Sequence, residues 1–323
     1  MKNPAKFSIN FEPLLNYLII IVLVVVGLIF SIMQPAFIKF YNISGILRQT
    51  ALLAIIATGV TYILIAGEFD LSFPFLASLS VNTAVNLLQL HVPGILVILI
   101  PILLGVIIGL VNGFLVGNLN INSFITTFGV GTILTGVNFF ISGGETIVIV
   151  GGLPSWFIAP AVNQLFGFSF LTYIMLAIVL ISIVITLHTV FGRILYAIGN
   201  NQKACVVAGV NVRKYKYFAY IICGVLAAVM GLLLAGRLGG GHPNAGDEYL
   251  MTVFAAVFLG MSIQNGTPNI LGTFLGSLLI TTIWNGLTLI GLQYEYQLIS
   301  TALIILIFSI IAYMKQTEAV SSL

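Results

Sequence analysis

Long runs of apolar residues dominate the sequence, and the first of them extends over residues 15–33. Crossing about 30 Å of hydrocarbon takes roughly 20 helical residues, and several runs reach or approach that length. Only 6% of the 323 residues are charged, against about 25% in a soluble domain, so no soluble core could bury this surface. A transmembrane β-barrel would show short alternating segments instead. The sequence therefore predicts an all-α, polytopic membrane protein.

Glycines, prolines and charge clusters divide the apolar runs into about ten predicted membrane-spanning helices. The first run has no small-residue cleavage site behind it and is too long for a signal-peptide core, so we expect a retained helix. The whole chain, 1–323, is expected to form one transmembrane domain, with six spans in 10–190, a cytoplasmic loop at 191–217 and four spans in 218–313. The predicted spans are residues 15–33, 51–66, 73–88, 94–116, 124–142, 171–189, 218–236, 250–261, 270–287 and 297–313.

Basic residues are concentrated in the loop at residues 191–217, which has no acidic residue. The positive-inside rule places this loop in the cytoplasm. Counting spans from it puts both termini in the cytoplasm and most acidic loops outside, although Lys39 and Arg48 also fall outside and weigh against the arrangement. The residues on which this topology rests are Lys2, Lys6, Arg193, Lys203, Arg213, Lys214, Lys216 and Lys315 inside, and Glu145, Asp247, Glu248 and Glu295 outside.

A faint internal repeat relates the two halves of the chain. Residues 63–67 close the second span much as residues 232–236 close the seventh, and residues 111–113 and 284–286 close the fourth and the ninth. The offset is five spans in both cases, so the two copies would have opposite orientations. Because many transporters are built from inverted repeats, we expect an inverted five-helix repeat here.

A polar segment at residues 67–74 interrupts the apolar pattern between the second and third spans. A carboxylate at hydrocarbon depth would cost at least about 2.5 kcal/mol, so Glu68 and Asp70 must face water, a partner or the interface. With Ser72 they could belong to a solute path or its gate. Alternatively, Asp70 or Ser72 caps the third span, with Pro74 in its first turn. The two interpretations are compatible.

Neutral polar residues also surround the junction of the fourth and fifth spans. Asn112 closes the fourth span, and Asn122 or Ser123 can cap the fifth, in which Phe124 is the first residue. Such residues could line a path for a hydroxyl-rich solute. Hydrogen bonds between helices are the alternative role.

Trp284 and Asn285 lie at the outer end of the ninth span. An aromatic ring and an amide at this position could stack on and hydrogen-bond a sugar-like ligand. However, a tryptophan at this depth is also typical of the interfacial belt.

The basic loop contains a short predicted helix that starts at Gln202. Asn200 or Asn201 can cap it, and Gly209 is well placed to end it. Such a helix would expose an apolar face, formed by Ala204, Val207 and Ala208, to the cytosol. A loop that only fixed the topology would need its basic residues alone, so we expect this face to dock on a partner.

Signatures of an enzyme are missing from the sequence. It has no Walker-type loop, no metal-ligand spacing and no nucleophile elbow. The histidines His91, His188 and His242 are far apart, and Cys205 and Cys223 are too few for a disulfide framework. We therefore expect no catalytic residue, no metal and no cofactor, and an intramembrane enzyme is disfavoured.

Three motifs resemble those of the permease subunit of bacterial ATP-binding-cassette importers for simple sugars, the ribose, xylose, galactose and autoinducer-2 group. That family typically has a Gly-Gly/Glu-hydrophobic-Asp-Leu-Ser turn after the second span, matched by residues 67–72. Its Asn-Gly pair and its Pro-Phe-Ile-like start of the fifth span are matched by residues 112–113 and 123–127. Its phrase Phe-Gly-Arg-x-x-Tyr-Ala-x-Gly-x-Asn, with the short helix that follows, is matched by residues 191–212. The resemblance extends over residues 42–313.

The resemblance implies that the short helix of the basic loop couples the chain to a separate ATP-binding subunit. Gln202 stands where the family usually has an acidic residue and Val206 where a basic one is common, so the polar contacts with the ATPase must differ. Phe-Pro-Phe at residues 73–75 replaces the frequent Val-Gly, which could alter the path or stiffen the helix start. The expected coupling residues are Asn201, Gln202, Lys203, Ala204, Val207, Ala208, Gly209, Val210 and Asn211, and the expected path or gate residues are Glu68, Asp70, Ser72, Asn112, Phe124 and Asn285.

The same resemblance implies an importer subunit of the bacterial inner membrane. A periplasmic or lipid-anchored binding protein would deliver a small neutral solute, foremost a monosaccharide, and ATP-binding subunits would supply the energy. A second permease, a copy or a paralogue, would complete the assembly in the lipid, and no nucleic acid partner is expected. The alternatives are uptake of nucleosides or autoinducer-2, or an ion-coupled secondary transporter, which the position of the acids near span ends disfavours.

Overall fold

A computed structural model describes residues 18–306 of the chain, except residues 262, 264 and 265. Both termini lie outside the described residues, as do Lys2, Lys6 and Lys315 and the outermost residues of the first and last predicted spans. The predictions that rest on those positions therefore stay predictions.

The described chain is mainly helical. A 3₁₀ turn at Pro35–Ile38 follows the first helix, and a two-stranded antiparallel hairpin of β1 (Gln164–Leu165) and β2 (Phe168–Ser169) precedes the seventh. The α-helices are α1 (Leu18–Met33), α2 (Phe40–Ile65), α3 (Phe73–Gln89), α4 (Gly94–Gly117), α5 (Ser123–Ser142), α6 (Ser155–Val162), α7 (Phe170–His188), α8 (Val190–Asn200), α9 (Gln202–Val207), α10 (Val212–Leu238), α11 (Tyr249–Met261), α12 (Ile270–Leu289) and α13 (Tyr294–Leu306).

Among the described residues, six helices are long and apolar enough to cross a bilayer, namely α2, α4, α5, α7, α10 and α12. Shorter apolar helices are α1, α11 and α13. Within the described residues, each predicted span overlaps one of these helices or α3, which has 17 residues. The prediction of an all-α, polytopic membrane protein is confirmed.

Two predicted spans start too late. The second was predicted from residue 51, but α2 begins at Phe40, and the seventh was predicted from residue 218, but α10 begins at Val212. Polar residues shortened both predictions, although no proline lies in either of the two segments. In α2 these residues are satisfied by the fold, since Asn42 and Ser44 are buried and hydrogen-bonded.

Two helices form the centre of the molecule. Most residues of α2 from Ala51 onwards are buried, and α2 packs against α7, α10, α11 and α12. The second central helix, α10, packs against α2, α3, α4 and α6. Because these helices are covered by others, the lipid-facing surface falls mainly on α4, α5 and α7, whose spans are only 22–33% buried.

Glycines allow α4 to approach α10 closely. Gly105, Gly109 and Gly113 recur every four residues, and a Cβ atom at Gly105 would lie 2.4 Å from the carbonyl oxygen of Gly224 on α10. Small residues at this spacing let helix backbones meet in a bilayer, where lipid supplies no hydrophobic drive for association. The pair α11 and α12 uses the same device, since Gly260 and Gly272 face each other.

The order of contacts along α10 defines two ends of the molecule. Lys216 and Tyr220 contact the turn after α2, Gly231 lies against α3, and Gly236 lies against α6. We call the end that carries α8 and α9 the loop end and the opposite end the cavity end. The turn after α2 does not stay at the loop end, because Asp70 lies beside Cys223, about 16 Å along a helix of about 40 Å at 1.5 Å per residue.

The segment at residues 239–248, between α10 and α11, turns back into the molecule from the cavity end. The Asn138 amide of α5 donates to the carbonyl of Pro243, and the backbone N–H of Gly246 donates to Ser78 Oγ of α3 over 2.8 Å. A Cβ atom at Gly246 would lie 2.1 Å from the carbonyl oxygen of Pro74, at the start of α3. This return segment therefore reaches the first turns of α3 before α11 begins.

Candidate functional site

The turn between α2 and α3 is held by hydrogen bonds within and around it. The Asp70 carboxylate, only 3% exposed, accepts from the backbone N–H and the hydroxyl of Ser72, at 2.7 and 2.6 Å. Asn112 of α4 donates to the same Ser72 oxygen over 2.8 Å, while its own Oδ1 has no hydrogen-bond partner among the described residues. The structure thus brings together three of the expected path residues.

The start of α3 differs from its prediction. Ser72 occupies the cap position and Pro74 lies in the first turn, but the Ser72 side chain makes no capping hydrogen bond. Its hydroxyl is engaged by Asp70 and Asn112 instead. Asp70 therefore contributes the carboxylate that accepts the Ser72 N–H, and Ser72 serves as a link to α4.

Helix α5 fixes the same turn from the other side. The backbone N–H groups of Phe69 and Leu71 donate to Ser123 Oγ and Thr127 Oγ1, at 3.1 and 2.9 Å. Asn122 caps α5 by accepting from the N–H of residue 125, as predicted. The start of α5 is therefore bonded to the turn through backbone groups that the turn itself leaves unpaired.

Glu68 connects the turn to the basic loop. Lys216 Nζ lies 2.5 Å from Glu68 Oε1 and also donates to Gln202 Oε1 over 3.0 Å. The side chains of Lys216 and Glu68 are 5% and 16% exposed. A single ammonium group on the second turn of α10 thus joins the first residue of α9 to the turn that follows α2.

Helix α9 has the caps that were predicted for it. Asn201 Oδ1 accepts from the N–H of Ala204, and Gly209 is left-handed with φ +80°, which a glycine adopts at little cost. Cys205 packs inwards against Ile198 and Val212.

The rest of the loop faces outwards. Val207 is 89% exposed and Val206 is 57% exposed, and Asn211 caps α10 by accepting from the N–H of Lys214. Among the expected coupling residues, Val210 is half-buried, and those at the surface are Asn201, Gln202, Lys203, Ala204, Val207, Ala208, Gly209 and Asn211.

Phe124 and Asn285 lie away from the group around Asp70. Phe124 is exposed in the first turn of α5. Asn285 exchanges two amide hydrogen bonds with Asn42 of α2, at 2.9 and 3.0 Å. This pair joins α12 to α2 near the cavity end, so the structure gives Asn285 a helix-bridging contact.

A cavity of about 630 Å³ opens at the cavity end. Its walls come from α2, α5, α10, α12 and α13, and the return segment forms part of its lining. Its lining includes polar and aromatic side chains, among them Gln49, Arg237, Glu248, Tyr249, Trp284 and Gln297. The volume lies within the range of roughly 300–1,000 Å³ that is typical of small-molecule sites.

A family model of transport proteins matches residues 42–309, nearly the whole described chain. Its description is "Branched-chain amino acid transport system / permease component". The chain belongs to this permease family.

Among the residues that the structure describes, no group of His, Cys, Asp and Glu side chains could hold a metal ion.

Curated relatives resemble the permease over most of their length. This chain is 37% identical to the probable ABC transporter permease protein YphD of Escherichia coli K12, and the alignment covers 90% of this chain and 86% of that protein. It is 33% identical to the ribose import permease RbsC of Bacillus subtilis, covering 91% and 90%. It is also 33% identical to the galactose/methyl galactoside import permease MglC of Escherichia coli K12, covering 93% and 95%. Among solved structures, none matches the permease with statistical significance.

Sequence reasoning missed several residues of the permease that the structure brings into these sites. Lys216 was used only as a topology signal, but it bonds Glu68 and Gln202. Glu248 was likewise used only as a loop charge, but it lines the cavity together with Arg237. A basic residue at the start of an apolar span was a visible signal for Lys216, because burying a lysine requires a partner.

Proposed function

We propose that this chain is the transmembrane subunit of an ATP-binding-cassette importer that moves a small neutral solute, a monosaccharide in the first place. The observation that supports this proposal most directly is made at the loop end. There α9 exposes Val206 and Val207, and Lys216 bonds α9 to the turn after α2 in the permease interior. Exposed valines on a short helix favour a protein partner. ATP hydrolysis would then take place in a separate subunit.

The substrate class rests on the relatives. The ribose and galactose import permeases are similar over nearly the whole chain, and the polar residues of the expected path include neutral amides and hydroxyls. Uptake of nucleosides or of autoinducer-2 by the same kind of assembly is an alternative. A branched-chain amino acid is another, since the family description names that class.

We propose ten spans and an inverted repeat for the membrane arrangement. The turn after α2 leads into α3, which starts within the molecule, and the return segment after α10 leads into α11, which also starts there. The two segments enter from opposite ends, as expected if residues 63–67 and 232–236 are corresponding positions. This relation supports the five-span offset.

The orientation follows from the charges. Because the basic loop carries α8 and α9, the loop end lies in the cytoplasm of a bacterial inner membrane, and both termini lie there too. A solute-binding protein, periplasmic or lipid-anchored, docks at the cavity end. A second permease copy or paralogue, together with lipid, covers the exposed apolar surface of α4, α5 and α7.

Glu68, Asp70, Ser72 and Asn112 form the inner gate in this proposal. The turn that contains the first three is bonded to Asn112 of α4, to α5 and to α10, so a displacement of α9 reaches it through Lys216. The free Oδ1 of Asn112 offers an acceptor to a solute hydroxyl. Phe124, at the start of α5, and Asn285, near the cavity end, remain proposed path or gate residues.

Asp70 favours a second candidate function. The acidic residues were expected near the ends of spans, a position that disfavours ion coupling. However, Asp70 lies beside Cys223, about 16 Å from the start of α10, and is only 3% exposed. A buried carboxylate at this depth is the usual device of an ion-coupled secondary transporter. A requirement for a proton or sodium gradient instead of ATP separates this candidate from the importer.

Copurification with the ATP-binding subunit tests the coupling surface. Val207→Asp places a charge on the most exposed apolar position of α9, and we expect retention of the ATP-binding subunit to fall at least tenfold. Phe166→Asp is the matched control, since Phe166 is 85% exposed in the hairpin loop before β2, distant from α9 in the sequence. Unchanged retention by Val207→Asp would contradict the proposal.

A further inference from the structure

An apolar groove of about 250 Å³ opens on the surface of the permease between α1, α2 and α12. Its walls are Leu23 of α1, Phe37 of the 3₁₀ turn, Leu278 and Thr282 of α12, and three residues of α2. Leu23 and Leu278 lie ten and eleven residues before the ends of their helices at the cavity end, which is about 15 Å at 1.5 Å per residue. Half of the hydrocarbon is about 15 Å thick, so the groove lies in the half of the bilayer on the side of the cavity end.

The floor of the groove is closely packed. Phe37 and Ile46 are buried together with Phe30 of α1, and the ring centroids of Phe30 and Phe37 are 5.5 Å apart. A Cβ atom at Gly286 of α12 would lie 2.3 Å from the Phe30 ring, so this glycine lets α1 approach α12 at that level. The groove is therefore a formed part of the fold, with a fixed floor.

An unbranched hydrocarbon chain fits this space better than a protein helix does. A helix with its side chains is about 10 Å wide and rises about 5.4 Å per turn, so a single turn fills about 400 Å³. The groove holds less than that, and its lining is apolar except for Thr282. In a bilayer the hydrocarbon chain at hand is the acyl chain of a lipid.

A basic residue stands at the mouth of the groove. Lys39 immediately precedes α2, and the backbone N–H of Ile43 donates to its carbonyl oxygen over 3.1 Å. The lining residues of α2 are Ile43, Ile46 and Leu47, so Lys39 and these three follow one face of the helix at the spacing i, i+4, i+7 and i+8. Lys39 is exposed and forms no ion pair with a described residue. The groove thus has an apolar body and a cation at its polar end.

The elements that form the groove carry no opposing charge. Neither α1, the 3₁₀ turn, α2 nor α12 contains an acidic residue, so none of them supplies a carboxylate for the ammonium group of a zwitterionic headgroup. A lysine at the membrane surface attracts anionic lipid. The charge therefore favours an anionic phospholipid over a zwitterionic one with the same acyl chains.

We propose that this groove is a binding site for an anionic phospholipid of the phosphatidylglycerol type, with an acyl chain along Ile43, Ile46 and Leu47 and the phosphate at Lys39. The site goes beyond the proposed function and does not depend on it, because no solute or ATP takes part. It also gives a role to Lys39, which falls on the outer side of the predicted topology, where the positive-inside rule expects few basic residues.

Arg48 provides the matched control for Lys39. It is exposed on the same helix, but it follows Lys39 by nine residues, which places it about 180° around the helix axis, and it does not line the groove. A general attraction between cations and anionic lipid would involve both residues. A site in the groove involves Lys39 alone.

Native mass spectrometry of the full-length permease measures the dissociation constants of dioleoyl phosphatidylglycerol and dioleoyl phosphatidylcholine, which share their acyl chains. We expect phosphatidylglycerol to bind at least threefold more tightly. Lys39→Gln should abolish this preference, whereas Lys39→Arg and Arg48→Gln should retain it. Ile43→Trp adds bulk to the groove from a position that is 43% exposed, and should weaken both lipids at least threefold. Ile32→Trp, at an 82% exposed position of α1 outside the groove, should leave both unchanged.

Several results would overturn the site. Equal binding of the two lipids by the unmodified permease is one, and an effect of Arg48→Gln as large as that of Lys39→Gln is another. Unchanged lipid binding by Ile43→Trp would place the lipid elsewhere. A dimer that only Ile43→Trp converts to monomers would show that a second copy covers the groove. Because none of these measurements involves transport, failure of the lipid site would leave the proposed function standing.

Discussion

Lys216 and Glu68 form a largely buried ion pair, with 2.5 Å between Nζ and Oε1. Lys216 lies in the second turn of α10, and Glu68 lies just after α2, so the pair joins the two central helices at the loop end. Since Lys216 also donates to Gln202, the expected coupling helix and the expected inner gate share one cation. A movement of α9 can therefore reach the gate through this ammonium group.

Loss of Lys216 should uncouple transport from ATP hydrolysis. Lys216→Met leaves the Glu68 carboxylate without its partner, which costs about 3–5 kcal/mol when a buried pair is broken. The double variant Glu68→Gln/Lys216→Met removes the stranded charge, so we expect it to regain most of the thermal stability. We expect solute uptake per ATP hydrolysed by the complete importer to stay low in both variants.

The matched control for this pair is Lys214→Gln, which removes an exposed charge from the same helix turn. It should transport as the unmodified protein does. Normal uptake per ATP by the double variant would show that the ion pair stabilises the fold without coupling the two sites.

The Asn42–Asn285 pair should stabilise the permease measurably. Asn285→Leu leaves the buried Asn42 amide short of its partner, and Asn42→Leu does the same to the partly buried Asn285, each at a cost of about 1–3 kcal/mol. Replacing both removes the stranded group, so we expect the loss in the double variant to be smaller than the sum of the single losses. Thermal unfolding in detergent measures this, with the exposed Asn118→Leu as control. Strictly additive losses would exclude a direct coupling.

Close packing of α4 on α10 predicts a strong effect at Gly105. An added Cβ atom would lie 2.4 Å from the Gly224 carbonyl oxygen, so Gly105→Ala must push the helices apart, and overpacking costs about 1–3 kcal/mol. Gly136→Ala is the matched control, since no heavy atom lies within 4 Å of its Cβ position. The thermal unfolding midpoint should fall for Gly105→Ala only. Equal midpoints would contradict the close contact.

Apolar runs and polar caps predicted much of the fold. Runs of the required length indicated helices, and Asn122 and Asn201 were identified as caps because an Asn side chain can accept the free N–H groups of a helix start. Span starts were less predictable, since Asn42 is satisfied by Asn285, which is 243 residues away in the sequence. Partners at that separation are not visible in a local pattern.

Side-chain pairing was the least predictable part of the site. The motifs drew attention to Glu68, Asp70 and Asn112, but their bonds to Lys216 and Ser72 depend on how α4 and α10 pack. The spacing of Gly105, Gly109 and Gly113 was a readable signal for that packing and was missed. The hairpin and α6 were also missed, because they lie in a loop without a strong period.

Transport by the reconstituted importer tests the central claim most directly. The permease, its ATP-binding subunit and its solute-binding protein are placed in liposomes, and uptake of labelled D-ribose and D-galactose is followed with a protonophore present. The account predicts uptake of a sugar that requires ATP on the side of the basic loop and persists when the proton gradient is removed. Uptake by the permease alone, driven by an ion gradient and independent of ATP, would contradict it.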